Sequence, residues 1–184
     1  MSGAENYRRF LTGDQQGLVA LIEEYKDGLI LYLTGIVGNL YTAEELTEDT
    51  FVKLGIKRPH YNEKKASFKT WLYTIARNVA MDHLRRGKRR AEISLEEIGD
   101  PADMAELEQT VIKQEDKIVV HRALSALKSE YRQILWLIYF EDFDYKSASR
   151  VIGRSLRGTQ GLAYRARKAL AEQLKKEGFV YEEL

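Results

Sequence analysis

Apolar side chains return every three or four positions early in the chain, at Leu18, Leu21, Ile22, Tyr25, Leu29, Leu33, Ile36 and Val37. That spacing lines one face of an α-helix, whereas a half-buried strand alternates its faces at every residue. The same period comes back in most later segments, and no strand pair with hairpin turn chemistry interrupts it. Only two prolines occur in 184 residues. A fold built almost entirely of helices is therefore expected.

Breakers divide the pattern into pieces. Gly38-Asn39 ends the first helix, and Thr42 is the expected N-cap of the second, with Glu44 and Glu45 favourably placed in its first turn. Leu46, Thr50, Phe51 and Leu54 form that helix's inner face. A polar stretch, 57–65, contains Pro59 and ends it. Ser67 is positioned to cap a third helix with an inner stripe of Phe68, Trp71, Leu72, Ile75, Val79 and His83 or Leu84. This helix closes on Arg85-Arg86-Gly87-Lys88-Arg89-Arg90. Residues 91–114 are poorly periodic and contain Gly99-Asp100-Pro101, so they read as a linker. A second module opens with Ile118, Val119, Ala123, Leu124 and Leu127, then Tyr131, Ile134, Leu135, Leu137, Ile138 and Phe140. A short helix around Tyr145 to Ile152, the turn Gly153-Arg154-Ser155 and a long basic helix from about Leu156 to Lys176 follow. That is the layout of a helix–turn–helix. The organisation expected is an all-α chain of two small helical domains, 1–90 and 115–184, joined by the linker 91–114.

The net charge of +1 conceals a segregation of sign. Residues 1–90 carry 15 Lys and Arg against 11 Asp and Glu, a net of +4. Residues 91–114 carry one Lys against seven acids, a net of −6, and residues 115–184 carry 13 against 10, a net of +3. Two basic modules can each touch a polyanion while an acidic tether stays off it.

Chemistry other than binding finds little support. There are no cysteines, which excludes disulfides, thiolate metal sites and thiol nucleophiles. His60, His83 and His121 stand apart without metal-ligand spacing, and no glycine-rich loop follows a strand to cradle phosphate. No catalytic residue, metal site or cofactor is expected. No apolar run approaches the ~18 residues of a membrane helix, and the N-terminus lacks a signal-peptide layout, so no membrane insertion and a cytoplasmic location are expected.

Binding signals are stronger. Lys64, Lys65, Lys69, Arg77, Arg85 and Arg86 share a segment with Phe68, Trp71 and Tyr73. Cations that hold phosphates beside aromatics that receive unstacked bases are the means of single-strand recognition. Trp71 lies on the apolar stripe and reads as core. Phe68, at the helix start beside a polar loop, is open to either role.

Several strings resemble one family. Ala43-Glu44-Glu45-Leu46-Thr47-Glu48-Asp49-Thr50-Phe51 resembles the A-E-D-L-x-Q-E-x-F stretch of bacterial sigma factor region 2.2. The run Phe68-Lys69-Thr70-Trp71-Leu72-Tyr73-Thr74-Ile75-Ala76-Arg77-Asn78 is similar to F-x-T-W-L-x-x-I-A-R-N of regions 2.3 and 2.4, and Asp82, Leu84, Arg85 and Arg86 extend it as D-x-L-R-R. Leu127 to Arg132 is similar to L-P-x-x-Y-R of region 4.1. Tyr139-Phe140-Glu141 and Arg165-Ala166-Arg167-Lys168-Ala169-Leu170 resemble Y-F-E and R-A-R-x-x-L of region 4.2. In order and spacing the set resembles the extracytoplasmic-function sigma factors, which retain only the second and fourth sigma domains.

The resemblance implies that the chain binds RNA polymerase core and directs initiation at specific promoters. Glu44, Glu45, Leu46, Glu48, Asp49 and Phe51 would dock on the β′ clamp helices, with Glu48-Asp49 standing where the family usually shows Gln-Glu. The second module would meet the β flap. Phe68, Lys69, Arg77, Asn78, Asp82, Arg85 and Arg86 would open the −10 element and hold a flipped base, the cations on backbone and Asn78 and Asp82 on base edges. Arg154, Ser155, Arg157, Thr159, Gln160, Tyr164, Arg165 and Arg167 would contact the −35 element in the major groove, where Gln reads adenine and Arg reads guanine. An anti-sigma factor is a further partner the family allows.

The last helix departs from the family string G-I-S-x-G-T-V-K-S-R-L, reading Gly153-Arg154-Ser155-Leu156-Arg157-Gly158-Thr159-Gln160-Gly161-Leu162-Ala163 instead. Gly158 and Gly161 each cost roughly 1 kcal/mol inside a helix relative to Ala. Either the helix frays or starts late, or the glycines admit a close approach of DNA or another chain, or they sit at a turn with positive φ. Two other classes of function stay open: a helix–turn–helix regulator acting alone, which would not need the region 2 strings, and a polymerase-bound interaction protein that reads no promoter. The acids of 91–114 either imitate nucleic acid in a basic channel or keep the tether solvated.

Overall fold

The computed structural model describes residues 1–93, 120 and 122–178. It contains α1 (Gly3–Leu11), α2 (Gln16–Val37), α3 (Leu40–Lys57), α4 (Phe68–Ile93), α5 (Ser129–Tyr139), α6 (Tyr145–Ile152) and α7 (Leu156–Lys176). Residues 122–125 are also helical, and no strand occurs among the described residues. None of their helices is long and apolar enough to cross a membrane.

Helix α1 adds to the expected set, and its signal is a capping box. The Ser2 amide donates to Glu5 Oε2 at 2.7 Å, and the Glu5 amide donates to Ser2 Oγ at 3.3 Å, so two otherwise orphaned amide groups are satisfied reciprocally. Tyr7 and Phe10 carry its buried face. Tyr7 Oη donates to the Pro59 carbonyl at 2.7 Å, and burial pushes its phenol up to about 12.

The second helix begins earlier than expected. Gly38 ends α2 in the left-handed region, φ 79°, and Asn39 rather than Thr42 caps α3, its Oδ1 accepting from the Thr42 amide at 2.8 Å. Thr42 lies within the first turn. The expected inner face of Leu46, Thr50, Phe51 and Leu54 is buried, and Ser67 Oγ accepts from the Thr70 amide at the start of α4, as expected of its cap. The linker expected from residue 91 begins inside α4, which runs to Ile93. The remainder of the linker, and Ile118, Val119 and His121, lie outside the described residues.

The two modules do not keep separate cores. One apolar cluster runs from Leu21, Leu33, Leu54 and Leu72 to Ile134, Leu137, Val151 and Leu162. Helix α4 packs against α1, α2 and α3 and also against α6, while α2 packs against α5. The expected stripe of α4 accounts for Phe68 and Leu72, but Tyr73, Ala76 and Ala80 are buried as well. Tyr73 packs between Tyr32 of α2 and Phe143 of the α5–α6 loop, with tilted rings whose centroids are 5.3 and 5.2 Å away.

Candidate nucleic-acid interface

The start of α4 is an aromatic cluster. Phe68 is only 4% exposed, and its ring lies 5.4–5.8 Å from those of Tyr7, Tyr25, Tyr61 and Trp71. This corrects the reading of Phe68 as a base contact: four rings enclose it, so it supports the surface from below. Trp71 is half-buried in the same cluster, as its place on the stripe predicts. Tyr73 is likewise core and not a stacking platform.

The cations of α4 fall into two groups. Arg85, Arg86, Lys88 and Arg89 are exposed, and Asp82, Arg85, Arg86 and Arg89 line a cleft of about 240 Å³. Asp82 Oδ1 accepts from Arg85 Nη1 at 2.7 Å, one turn along the helix. Asn78 is also exposed. Arg89 belongs to this cleft although the motif string stops at Arg86; the density of the basic run was its signal. Lys69 and Arg77 are engaged elsewhere. Lys69 Nζ donates to the Glu141 carbonyl at 2.8 Å and pairs with Glu141 Oε2 at 2.9 Å. Arg77 Nε donates to Gln133 Oε1 at 3.1 Å. Both partners belong to the second module.

Helices α6 and α7 form the expected helix–turn–helix. Asp144 caps α6, its Oδ1 accepting from the Ser147 amide at 2.6 Å, and this bond holds its carboxyl below the usual range. Gly153 ends α6 at φ 73°, a left-handed conformation that glycine adopts at little cost. Ser155 caps α7, accepting from the Gly158 amide at 3.1 Å. Helix α7 runs from Leu156 to Lys176 as read from the sequence, with Gly158 and Gly161 inside it and neither at positive φ. Late starting and a positive-φ turn are both excluded. A Cβ at Gly158 would meet Ser155 Oγ at 3.1 Å, and one at Gly161 would meet Arg165 Nη1 at 3.4 Å.

Leu162, Ala163 and Ala166 turn α7 inward, which leaves Arg157, Gln160, Tyr164, Arg165 and Arg167 exposed together. Thr159 is corrected: it is fully buried, and its Oγ1 donates to the Ser155 carbonyl at 3.0 Å. The same inward turn buries Leu162 where the family string has arginine. Arg154 Nη2 pairs with Glu130 Oε2 at 2.7 Å.

The acidic helix α3 presents Glu44, Glu45, Glu48 and Asp49 to solvent. Leu46 and Phe51 are instead buried, 4% and 6% exposed, because they lie on the face turned to α2; a direct contact through Leu46 is corrected accordingly. Phe51 still lines a groove of about 500 Å³ with Ile22, Lys26, Glu44, Thr47, Glu48 and Val52. Val52 and Ile56 are exposed beside it. An acidic rim around apolar residues suits a helix that carries arginines. Among the described residues no group of His, Asp and Glu is placed to hold a metal ion.

Comparison with known proteins agrees with this geometry. Residues 21–90 match the family model described as sigma-70 region 2, and residues 117–170 match the one described as sigma-70, region 4. The chain is 29% identical over 150 residues to the ECF RNA polymerase sigma factor SigM of Bacillus subtilis, covering 82% of this chain and 90% of that one. It is 23% identical over 172 residues to SigW of the same organism, covering 89% and 91%. Among solved structures, the sigma factor RpoE in complex with the anti-sigma factor NepR from Bartonella quintana superposes with a TM-score of 0.67, covering 84% of this chain and 94% of that one at 24% identity. CnrH in complex with the cytosolic domain of CnrY gives 0.64 and 95% of each chain at 20% identity; at such identities these two report the fold. With both region models matched in order on two helical modules, the chain belongs to the sigma-70 family of RNA polymerase sigma factors, in its ECF group.

Proposed function

We propose that this chain is a promoter-specificity subunit that docks on core RNA polymerase, melts the −10 element with α4 and reads the −35 element with α7. The observation that carries it is the order of the two matched regions, each bearing exposed cations on a helix available to DNA. The exposed acids and groove of α3 meet the β′ clamp helices, and the second domain meets the β flap. On α4 the −10 contacts are Asn78, Asp82, Arg85 and Arg86, with Arg89 beside them and Lys69 and Arg77 nearer the start of the helix. Melting costs a few kcal/mol per unstacked step, which pocket contacts and phosphate pairs must offset. On α7 the −35 contacts are Arg157, Gln160, Tyr164, Arg165 and Arg167, with Arg154 and Ser155 at the turn. The chain supplies no catalytic group; nucleotide addition belongs to the polymerase. An anti-sigma partner follows from the two complexes whose folds it shares. Core-dependent transcription tests the proposal. The chain should direct initiation on duplex promoter templates only when core is present. Duplex binding without core would favour a lone regulator, and core binding without initiation would favour an interaction protein.

A further inference from the structure

Helix α1 lies outside residues 21–90, those matched to sigma-70 region 2, yet it is built firmly into the first domain. Gly17 of α2 presses on its backbone: a Cβ there would run into Asn6 O and stand 2.7 Å from Phe10 N. Only glycine admits so close an approach of two helices. Held in this way, α1 turns Tyr7 and Phe10 toward the segment 58–67, which joins α3 to α4.

That segment is fixed from several sides. Arg58 ends α3 at φ 42°, a left-handed conformation that is costly for a residue other than glycine. Its guanidinium carbon lies 5.1 Å from the centroid of the Phe10 ring. The carbonyl of the next residue, Pro59, accepts from the Tyr7 hydroxyl at 2.7 Å. Tyr61 packs on Trp71 and Phe68, with centroids 5.1 and 5.5 Å away, and its hydroxyl donates to the Ala66 carbonyl at 3.0 Å. Asn62 accepts the Lys64 amide on Oδ1 and the Lys65 amide on its carbonyl, both at 3.0 Å. The outcome is a shaped turn with Lys64 and Lys65 exposed. These two lysines belong to the segment of cations and aromatics read from the sequence, and the contacts of α4 leave them without a role.

A lysine on a loose loop loses part of its binding free energy in ordering that loop, and a loop already fixed avoids the loss. We propose that α1 is a positioning element of the −10 surface: Tyr7, acting through the Pro59 carbonyl, holds the segment 58–67 so that Lys64 and Lys65 meet the phosphates of the opened strand. This rests on the −10 reading of α4 and adds a residue, Tyr7, that itself touches no DNA.

A double-mutant cycle on the full chain tests it. The probe is a fluorescent pool of random single-stranded DNA, bound by the chain together with core polymerase, with core alone as background. Lys64→Ala with Lys65→Ala should weaken binding about tenfold and lower its salt dependence by about 0.7 per lost phosphate contact. Tyr7→Phe keeps the ring and removes only the hydroxyl. It should weaken binding about threefold in the parent chain but change it by less than about 1.5-fold in the lysine variant, because a hold on absent side chains has no effect. Competition for core polymerase should be the same for Tyr7→Phe as for the parent. Equal loss in both backgrounds, or a matching loss in that competition, would make Tyr7 a residue of the fold and overturn the inference. No loss in the parent chain would overturn it as well. So would a lysine variant that binds like the parent while Arg85→Ala with Arg86→Ala binds more weakly. If neither the lysine pair nor the arginine pair weakens binding, the −10 reading falls and the inference with it. Should Tyr7→Phe unfold the chain, Arg58→Gly decides by the same cycle, since glycine keeps the left-handed turn at little cost and lets go of Phe10.

Discussion

Helices α3 and α4 lie side by side in the first domain and face opposite circumstances. On α3 the charged face is open: Glu44, Glu45, Glu48 and Asp49 are exposed around an apolar groove. On α4 the cations at the start and middle, Lys69 and Arg77, are tied to the second domain, whereas Arg85, Arg86, Lys88 and Arg89 are exposed. The acids of α3 are thus open to a partner, while Lys69 and Arg77 of α4 are already paired within the chain. The difference follows from length and composition. Helix α4 is 26 residues long and carries small or aromatic side chains on two faces, so a second layer can pack on it; α3 places acids where that layer would have to sit.

The largest way to break this contrast is Phe143→Ala. Phe143 is buried against Tyr73, and loss of a buried aromatic side chain costs about 3–5 kcal/mol. Denaturant unfolding should show a loss of that order, and small-angle scattering a more extended chain. A variant as compact and as stable as the parent would mean that α4 is not held from this side.

Charge reversal at Glu45 and Asp49 addresses the open helix. Competition against another sigma factor for core polymerase should show at least a tenfold weaker affinity, about 1.4 kcal/mol. Thermal stability should move by no more than about 0.5 kcal/mol, as for other exposed sites. Unchanged competition would remove the docking role of α3.

Asp144→Ala removes the cap of the helix that packs on α4 and should cost about 1 kcal/mol. Because the cap holds the carboxyl below its ordinary value, its stabilisation is complete above the usual carboxylate range and is lost as pH falls through the depressed value. Urea melts of both chains should therefore converge under acid conditions, and a pH-independent gap would contradict the cap.

Gly161→Ala should stabilise α7 by up to about 1 kcal/mol, since the nearest obstacle is the flexible end of Arg165. Gly158→Ala should gain less, because its methyl group crowds the Ser155 cap at 3.1 Å. A gain in melting temperature with reduced promoter binding would show DNA backbone close to these glycines.

The smallest stability effect belongs to Arg85→Ala with Arg86→Ala. Both side chains are exposed, and the Arg85–Asp82 pair is a surface pair worth little. The melting temperature should stay nearly constant while the salt dependence of promoter binding by holoenzyme falls by about 0.7–0.9 per lost phosphate contact. Unfolding of the double variant would assign these arginines to the fold instead.

By itself the sequence determined the helices, the helix–turn–helix and the segregation of charge, because each depends on neighbours within a few positions. Helix α7 begins and ends where its pattern does, and Ser67 caps α4 as its position suggested. The region strings of the family lay in contiguous residues and were equally legible. What a side chain faces is a long-range matter. Phe68, Thr159 and Leu46 carry residue types suited to their predicted contacts, yet rings and helices distant in sequence bury them. Only the tertiary structure put Glu141 on Lys69, 72 residues away, and Gln133 on Arg77, 56 residues away. Periodicity marks which face of a helix is apolar, but it does not say which of two layers will cover it. On α4 the small and aromatic side chains of the second face were decided by packing, and with them the fate of the cations alongside.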